Sequence, residues 1–288
     1  MIPPSIDYVE IRGLRHRIVR WGPPSESPIV LLHGFLDAAL TFQFLVDELP
    51  KDWSLVAPDW RGFGESASQG SSYWFPDYFA DLDALLELLC PQEPVRMIGH
   101  SMGGNVALMY AGIRPQRVKA VASLEGFGLP RAPTGQAPAR YAQWLDQIRT
   151  PPRRSQYPSL EVFARTLRLR NPRLTVERAL FVAAAWTRPA GEGFELAADP
   201  WHRLVNPVPY RRDETEAVWR LVEAPVLMAL GEFSEYLPRL GADGTDEYFA
   251  SVFRRLTLRK LKGVGHMMHH EDPAQVALHV REFLAAHS

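Results

Sequence analysis

The 288-residue sequence contains a single cysteine, Cys90, and no run of about 18 apolar residues. A lone cysteine excludes an intrachain disulfide and a thiolate metal cluster, and it fits a reducing, cytoplasmic location. The missing apolar run excludes a helical membrane span. The chain also begins without a basic start followed by an apolar stretch, so we predict no signal peptide.

An excess of one charge sign is also missing. The chain has 32 basic and 33 acidic residues, which gives no reason to expect nucleic acid as a partner. The charges are unevenly placed, because residues 128–222 hold 15 arginines, no lysine and nine acidic residues. A solvated basic surface explains this excess, and attraction of an anionic substrate is the alternative. The oligomeric state stays open.

Short apolar runs bounded by turn residues alternate with helical patterns along most of the chain. The strand-like runs lie at residues 29–32, 55–57, 95–98, 118–124, 225–230 and 254–261, and the helical patterns at residues 42–49, 78–89 and 104–111. Most of the strands are apolar on both faces, as parallel strands covered by helices must be. The alternation predicts an α/β fold with a doubly wound, mostly parallel sheet. An antiparallel hairpin around Gly13 is expected at its edge.

This pattern breaks after Gly128. Residues 128–222 are proline-rich and show no convincing strand, but residues 160–169 and 176–186 have helical periodicity. We therefore predict a helical lid, or cap, at residues 128–222. It would be inserted between two parts of one core, formed by residues 1–127 and 223–288.

The strongest chemical motif is Gly-His-Ser-Met-Gly at residues 99–103, centred on Ser101. It follows a predicted strand and opens a predicted helix. A sharp strand-to-helix turn exposes its central side chain, and it needs small residues two places on either side. Ser101 is therefore the candidate nucleophile.

A serine hydroxyl needs a base within hydrogen-bond reach. His266 lies in a glycine-bearing loop near the end of the chain and is the candidate general base. The nearby His269 and His270 raise the possibility of a metal site with His266. Their spacing fits no helical zinc motif and no acidic partner accompanies them, so we expect structural or solvated histidines, no metal and no cofactor.

These residues resemble the α/β-hydrolase superfamily, especially its lid-bearing members. The shared features are His-Gly-Phe at residues 33–35, the segment at residues 59–66, the Ser101 motif, and Gly265 with His266. The Ser101 motif and the Leu-Glu-Gly-Phe-Gly stretch at residues 124–128 look most like serine hydrolase-like proteins of that superfamily. The resemblance implies an oxyanion hole formed by the backbone N–H groups of Phe35 and Met102. It also implies that His33 and Asp59 order the surrounding loops.

The departure from the family concerns the acid that orients the histidine. Most members carry an aspartate at the position that Ser234 occupies here. Glu125, at a predicted strand end, and Glu235, one residue beyond the usual site, are possible substitutes. We favour Glu125 because a strand end fixes a carboxylate better than a loop does. Glu232, or no acid at all, remains open.

Serine chemistry favours attack on a carbonyl carbon. We expect a small-molecule ester or thioester as substrate and an acyl-enzyme on Ser101. Serine disfavours the epoxide hydrolase and haloalkane dehalogenase reactions of this superfamily, because attack on a saturated carbon would leave an ether. The alternatives are a carbon–carbon bond hydrolase of an acidic diketone and a non-catalytic binding protein on the same fold. Large apolar side chains of the predicted lid could line an acyl pocket or merely pack onto the core: Trp144, Phe163, Leu167, Phe181 and Trp186.

Overall fold

The computed structural model describes residues 1–150 and 152–287. Its main sheet contains β1 (Ser5–Ile11), β2 (Leu14–Trp21), β3 (Ile29–Leu32), β4 (Leu55–Pro58), β5 (Val95–His100), β6 (Val118–Leu124), β10 (Val226–Gly231) and β11 (Leu256–Leu261). The strand order is β1-β2-β4-β3-β5-β6-β10-β11. Strands β1 and β2 form the expected antiparallel edge. Strand β2 also pairs antiparallel with β4, and the remaining neighbours are parallel.

The helices are α1 (Gln43–Glu48), α2 (Pro76–Leu89), α3 (Met102–Ile113), α4 (Ala137–Ile148), α5 (Leu160–Arg170), α6 (Val176–Trp186), α7 (Arg212–Trp219), α8 (Asp246–Val252), α9 (Met268–Glu271) and α10 (Pro273–Ala285). Among the described residues, none of these helices has the length and apolar character needed to cross a bilayer.

Strand β3 shows why the sheet strands are apolar throughout. Its four residues are all buried. Val30 and Leu32 pack into the apolar cluster on one face of the sheet, whereas Ile29 and Leu31 pack into the cluster on the other. Successive side chains of a strand point to opposite faces, so a sheet covered on both sides needs apolar residues at every position. The predicted doubly wound, mostly parallel sheet is confirmed.

Residues 128–222, which we call the insertion, lie between β6 and β10. The insertion contains helices α4 to α7, of which α5 and α6 match the predicted helical stretches closely. The expectation that it lacks strands was wrong. It carries a small antiparallel sheet in the order β7-β9-β8, formed by β7 (Gln156–Tyr157), β9 (Gly193–Leu196) and β8 (Thr187–Ala190). These strands have two to four residues and are not fully buried, so alternation is too weak to reveal them.

The sheet brings the ends of distant segments to one edge. Ser101 directly follows β5, and Glu125 directly follows β6. His266 lies in the loop after β11. Open α/β sheets place their ligands beyond the carboxyl ends of the strands, which is where these three residues meet.

Candidate active site

Ser101 occupies a strained turn between β5 and α3. Its φ of 49° and ψ of −113° are unusual for a residue with a side chain, and it caps the helix that begins at Met102. The turn depends on two glycines. A Cβ on Gly99 would lie 2.5 Å from the carbonyl oxygen of Gly103, and one on Gly103 would lie 2.0 Å from that of Leu32. The spacing noticed in the sequence is therefore a steric requirement.

His266 places its two ring nitrogens between Ser101 and a carboxylate. Its Nε2 atom lies 3.0 Å from Ser101 Oγ. Its own backbone oxygen lies 2.9 Å from the Nε2 atom of His100. Burial lowers the pKa of His100 well below its usual value, so a neutral ring can donate one N–H to this carbonyl. The ring of Tyr236 packs 4.4 Å from the ring of His266 between centroids.

Glu125 is the carboxylate that His266 contacts. Its Oε2 atom lies 3.2 Å from His266 Nδ1. Glu125 is only 2% exposed. The Oε1 atom accepts a hydrogen bond of 2.7 Å from the Gly231 N–H, and Oε2 accepts one from the Ser234 hydroxyl. A buried carboxylate with these partners is compensated for much of its lost hydration.

The other acidic candidates lie elsewhere. Glu232 and Glu235 are both exposed. Glu232 accepts a hydrogen bond of 2.8 Å from the Gly263 N–H. Within the described residues, neither carboxylate contacts His266. The geometry thus brings Glu125 to the imidazole and leaves the predicted alternative, Glu235, facing solvent.

Backbone strain is concentrated at this site. Among the described residues, four non-glycine residues have positive φ: Arg12, Leu36, Ser101 and Glu125. Arg12 belongs to the edge turn with Gly13, but the other three surround the candidate site. Glu125 holds its φ of 57° while its N–H donates to the Ala229 carbonyl at 2.9 Å. Strained backbone persists where the surrounding structure enforces it, and such positions cluster at functional sites.

The turn that contains Phe35 lies directly against Ser101. A Cβ built on Gly34 would be 3.3 Å from the Ser101 Cβ and 2.7 Å from His100 Nδ1. The backbone N–H groups of Phe35 and Met102 donate no hydrogen bond to any group of the described chain. An oxyanion hole requires free N–H donors of this kind beside the nucleophile.

His33 and Asp59 hold the surrounding loops. His33 Nδ1 lies 2.8 Å from the Gly34 carbonyl oxygen, and Nε2 accepts a hydrogen bond of 3.0 Å from the Trp60 N–H. Asp59 accepts the N–H of Ala39 at 2.7 Å and forms an ion pair of 2.6 Å with Arg17. These contacts are those expected of loop-ordering residues.

The apolar residues of the insertion divide into two groups. Phe163, Leu167 and Trp186 line a cavity that is bounded on the other side by the core turn from Leu36 to Ala38. Phe181 instead packs against Phe44, with ring centroids 5.0 Å apart. Trp144 does not line this cavity. Some of these side chains therefore line a cavity, whereas Phe181 packs the insertion onto the core.

His269 and His270 are buried, and an acidic side chain accompanies them. The carboxylate of Asp37 lies 3.5 Å from His269 Nε2 and 3.9 Å from His270 Nε2. Sequence reasoning missed Asp37 because it precedes these histidines by more than two hundred residues. Its place after the His-Gly-Phe turn was the one available signal.

Comparisons with known proteins identify the family of this chain. The model of the α/β hydrolase fold matches residues 27–273. The chain belongs to the α/β-hydrolase family. A serine hydrolase-like protein of Danio rerio is 30% identical over 277 residues, covering 93% of this chain and 84% of that protein. A 3-hydroxybutyrate-oligomer hydrolase of Cupriavidus necator is 27% identical over 291 residues, covering 94% of each chain.

A solved α/β hydrolase relative shows the same architecture. The thioesterase domain from the curacin biosynthetic pathway superposes with a TM-score of 0.83 at 23% identity, covering 96% of this chain and 99% of that one. The predicted α/β-hydrolase fold and the resemblance to serine hydrolase-like proteins are thereby confirmed. The family and these relatives place the chain among hydrolases.

Proposed function

We propose that this α/β hydrolase is a serine hydrolase that cleaves carboxylic esters or thioesters. The observation that carries the proposal is the continuous set of contacts from Ser101 Oγ to His266 Nε2 at 3.0 Å, and from His266 Nδ1 to Glu125 at 3.2 Å. Nucleophile, base and orienting acid then stand in the order that acyl transfer requires.

In the first half-reaction, Ser101 Oγ attacks the substrate carbonyl while His266 Nε2 takes the hydroxyl proton. The N–H groups of Phe35 and Met102 stabilise the oxyanion. His266 then gives its proton to the departing alcohol or thiol, and an acyl-enzyme remains on Ser101.

In the second half-reaction, His266 deprotonates a water molecule, which attacks the acyl carbon. Collapse of the second tetrahedral intermediate breaks the bond to Ser101 Oγ, which regains a proton from His266, and the carboxylic acid leaves. Glu125 keeps the imidazole in the required tautomer and balances its positive charge in both steps.

Two observations favour an ester-type substrate. A serine nucleophile forms a hydrolysable intermediate with a carbonyl compound. The full-length relative from Cupriavidus necator is named as a hydrolase of 3-hydroxybutyrate oligomers. The basic insertion gives little support to an acidic diketone as substrate, because many of its arginines already form ion pairs: Arg131, Arg154, Arg188, Arg212 and Arg220.

The test is hydrolysis of nitrophenyl esters and acyl thioesters of increasing chain length, each with and without a terminal carboxylate. Wild-type protein should turn over part of this series, and Ser101→Ala should lower kcat by roughly 10⁶, as loss of a serine nucleophile does in another hydrolase. Ser251→Ala changes an exposed serine and is the matched control. Equal turnover by wild type and Ser101→Ala would overturn the proposal.

A further inference from the structure

Asp37, His269 and His270 form a buried cluster that the proposed reaction does not use. Asp37 lies in the turn after β3, and the histidines lie on α9. The three residues are 2%, 0% and 1% exposed, respectively. One carboxylate oxygen and one nitrogen from each imidazole all lie within 4.8 Å of one another.

The two carboxylate oxygens of Asp37 have different surroundings. Oδ1 accepts three hydrogen bonds, from the Ala38 N–H at 2.8 Å, the Thr41 hydroxyl at 2.6 Å and the Trp186 indole at 2.7 Å. Oδ2 accepts none from the residues that the structure describes, and it faces the imidazoles of His269 and His270. The carboxylate is therefore fixed by one oxygen while the other points into the cluster.

The imidazole nitrogens that face Oδ2 also have no hydrogen-bond partner within the described part of the chain. Nε2 of His269 and Nε2 of His270 are both buried and unpaired. Their distances to Oδ2, 3.5 and 3.9 Å, exceed the normal range of about 2.7–3.2 Å for an N–H···O bond. Buried polar atoms almost always have a hydrogen-bond partner, because an unpaired one has lost its hydration without compensation. Three such atoms that face one another are therefore unusual.

We propose that Asp37, His269 and His270 bind one divalent transition-metal cation of the zinc type. Two imidazoles and one carboxylate are ligands that Zn²⁺ accepts, whereas Ca²⁺ and Mg²⁺ prefer oxygen ligands. Ligands held at about 2.0–2.2 Å from a tetrahedral ion lie roughly 3.3–3.6 Å apart. The two distances to Oδ2 are at or slightly above this range. The imidazole nitrogens lie within 4.8 Å of one another, so side-chain rotations would have to draw the ligands together around the ion.

The site would join three parts of the molecule. Asp37 belongs to the turn that carries Phe35, and Trp186 of the insertion donates a hydrogen bond to Asp37. The histidines lie on α9, which follows the loop that carries His266. A bound cation would therefore cross-link the Phe35 turn to α9. We expect Zn²⁺ to raise the melting temperature, because a ligand that binds only the folded state stabilises it.

The test uses purified, chelator-treated protein, incubated with Zn²⁺ alone and analysed for bound metal after dialysis, together with the visible spectrum of bound Co²⁺. Wild type should retain one ion per chain and gain thermal stability, and Mg²⁺ alone should do neither. His270→Gln and Asp37→Asn should each weaken Zn²⁺ binding more than tenfold.

Two control variants separate this site from other histidines. His279→Gln changes a histidine on α10, and His266→Ala removes the proposed catalytic base; both should bind Zn²⁺ like wild type. Circular dichroism identifies variants that fail to fold, and if Asp37→Asn does so, His270→Gln decides. Failure of the wild type to bind Zn²⁺ or Co²⁺ at micromolar concentration, or undiminished binding by folded His270→Gln, would overturn the proposal. Loss of binding only in His266→Ala would do the same. None of these outcomes depends on esterase activity.

Discussion

The hydroxyl group of Ser234 donates a hydrogen bond to the same Glu125 oxygen that faces His266. Ser234 stands where most resembling hydrolases carry their acid. In this chain the carboxylate that contacts His266 belongs to Glu125, after the end of β6, and Ser234 is one of its hydrogen-bond donors. The two positions therefore converge on one place beside the imidazole.

Glu125→Gln should lower kcat for ester hydrolysis by roughly 10⁴, because an amide holds the imidazole in the wrong tautomer and cannot balance its charge. Steady-state kinetics measures the effect. Glu235→Gln is the matched control, since Glu235 is exposed, and it should leave kcat within about twofold of wild type. A large loss in Glu235→Gln and a small one in Glu125→Gln would contradict the assignment.

The double variant Glu125→Gln/Ser234→Asp should have a kcat at least tenfold higher than that of Glu125→Gln. The new carboxylate would approach His266 from the position of Ser234, and the glutamine amide could donate a hydrogen bond to it. The comparison is between the single and double variants under identical conditions. If the double variant is no more active than Glu125→Gln, the two positions are not interchangeable.

Gly34→Ala should lower kcat about 100-fold while changing KM little, because loss of an oxyanion donor in other hydrolases has an effect of this size. Its new methyl group would crowd His100 and Ser101 and push the Phe35 turn away. Gly135→Ala is the control, since a Cβ there would meet nothing within 4 Å. Unchanged kcat in Gly34→Ala would show that the Phe35 N–H plays no part.

Acid should destabilise the protein partly through His202. Burial lowers the pKa of His202 to about 3. Above pH 6.5 the ring is neutral in both folded and unfolded chains, and it contributes no pH dependence. Below pH 6.5 the unfolded chain binds a proton that the folded chain does not, so the free energy of unfolding falls with pH until about pH 3.

His202→Phe should reduce this acid sensitivity. The ring of His202 stacks between Phe63 and Tyr73, and phenylalanine can keep that stacking without titrating. Between pH 6.5 and 5.0, urea unfolding should show that the variant loses about 2 kcal/mol less stability than wild type. Equal losses in the two proteins would contradict the assigned cause.

Much of the core could be predicted because short stretches of sequence indicate its strands and turns. Strands such as β3 are buried on both faces, so their sequences are apolar without interruption. The Ser101 turn could be predicted because its glycines are sterically required. The hairpin of β8 and β9 was missed, although Gly191, with its φ of 58°, and Glu192 form its two-residue turn. Gly191 was the available signal, because two-residue hairpin turns favour glycine where φ is positive.

The site was harder to complete from the sequence because its contacts are long-range. Glu125 could be inferred from its strand end, but the donor role of Ser234 depends on how β6 and β10 pair side by side. The approach of Asp37 to His269 depends on the whole sheet bringing two loops to one edge. No local pattern encodes either contact.

The most direct test of the account is labelling with a fluorophosphonate, followed by intact mass measurement and peptide mapping. The wild type should gain one adduct, located on Ser101, and His266→Ala should react much more slowly because its serine has lost the base. Ser101→Ala should remain unlabelled. A wild type that does not react, or an adduct on another residue with Ser101 unmodified, would contradict the account.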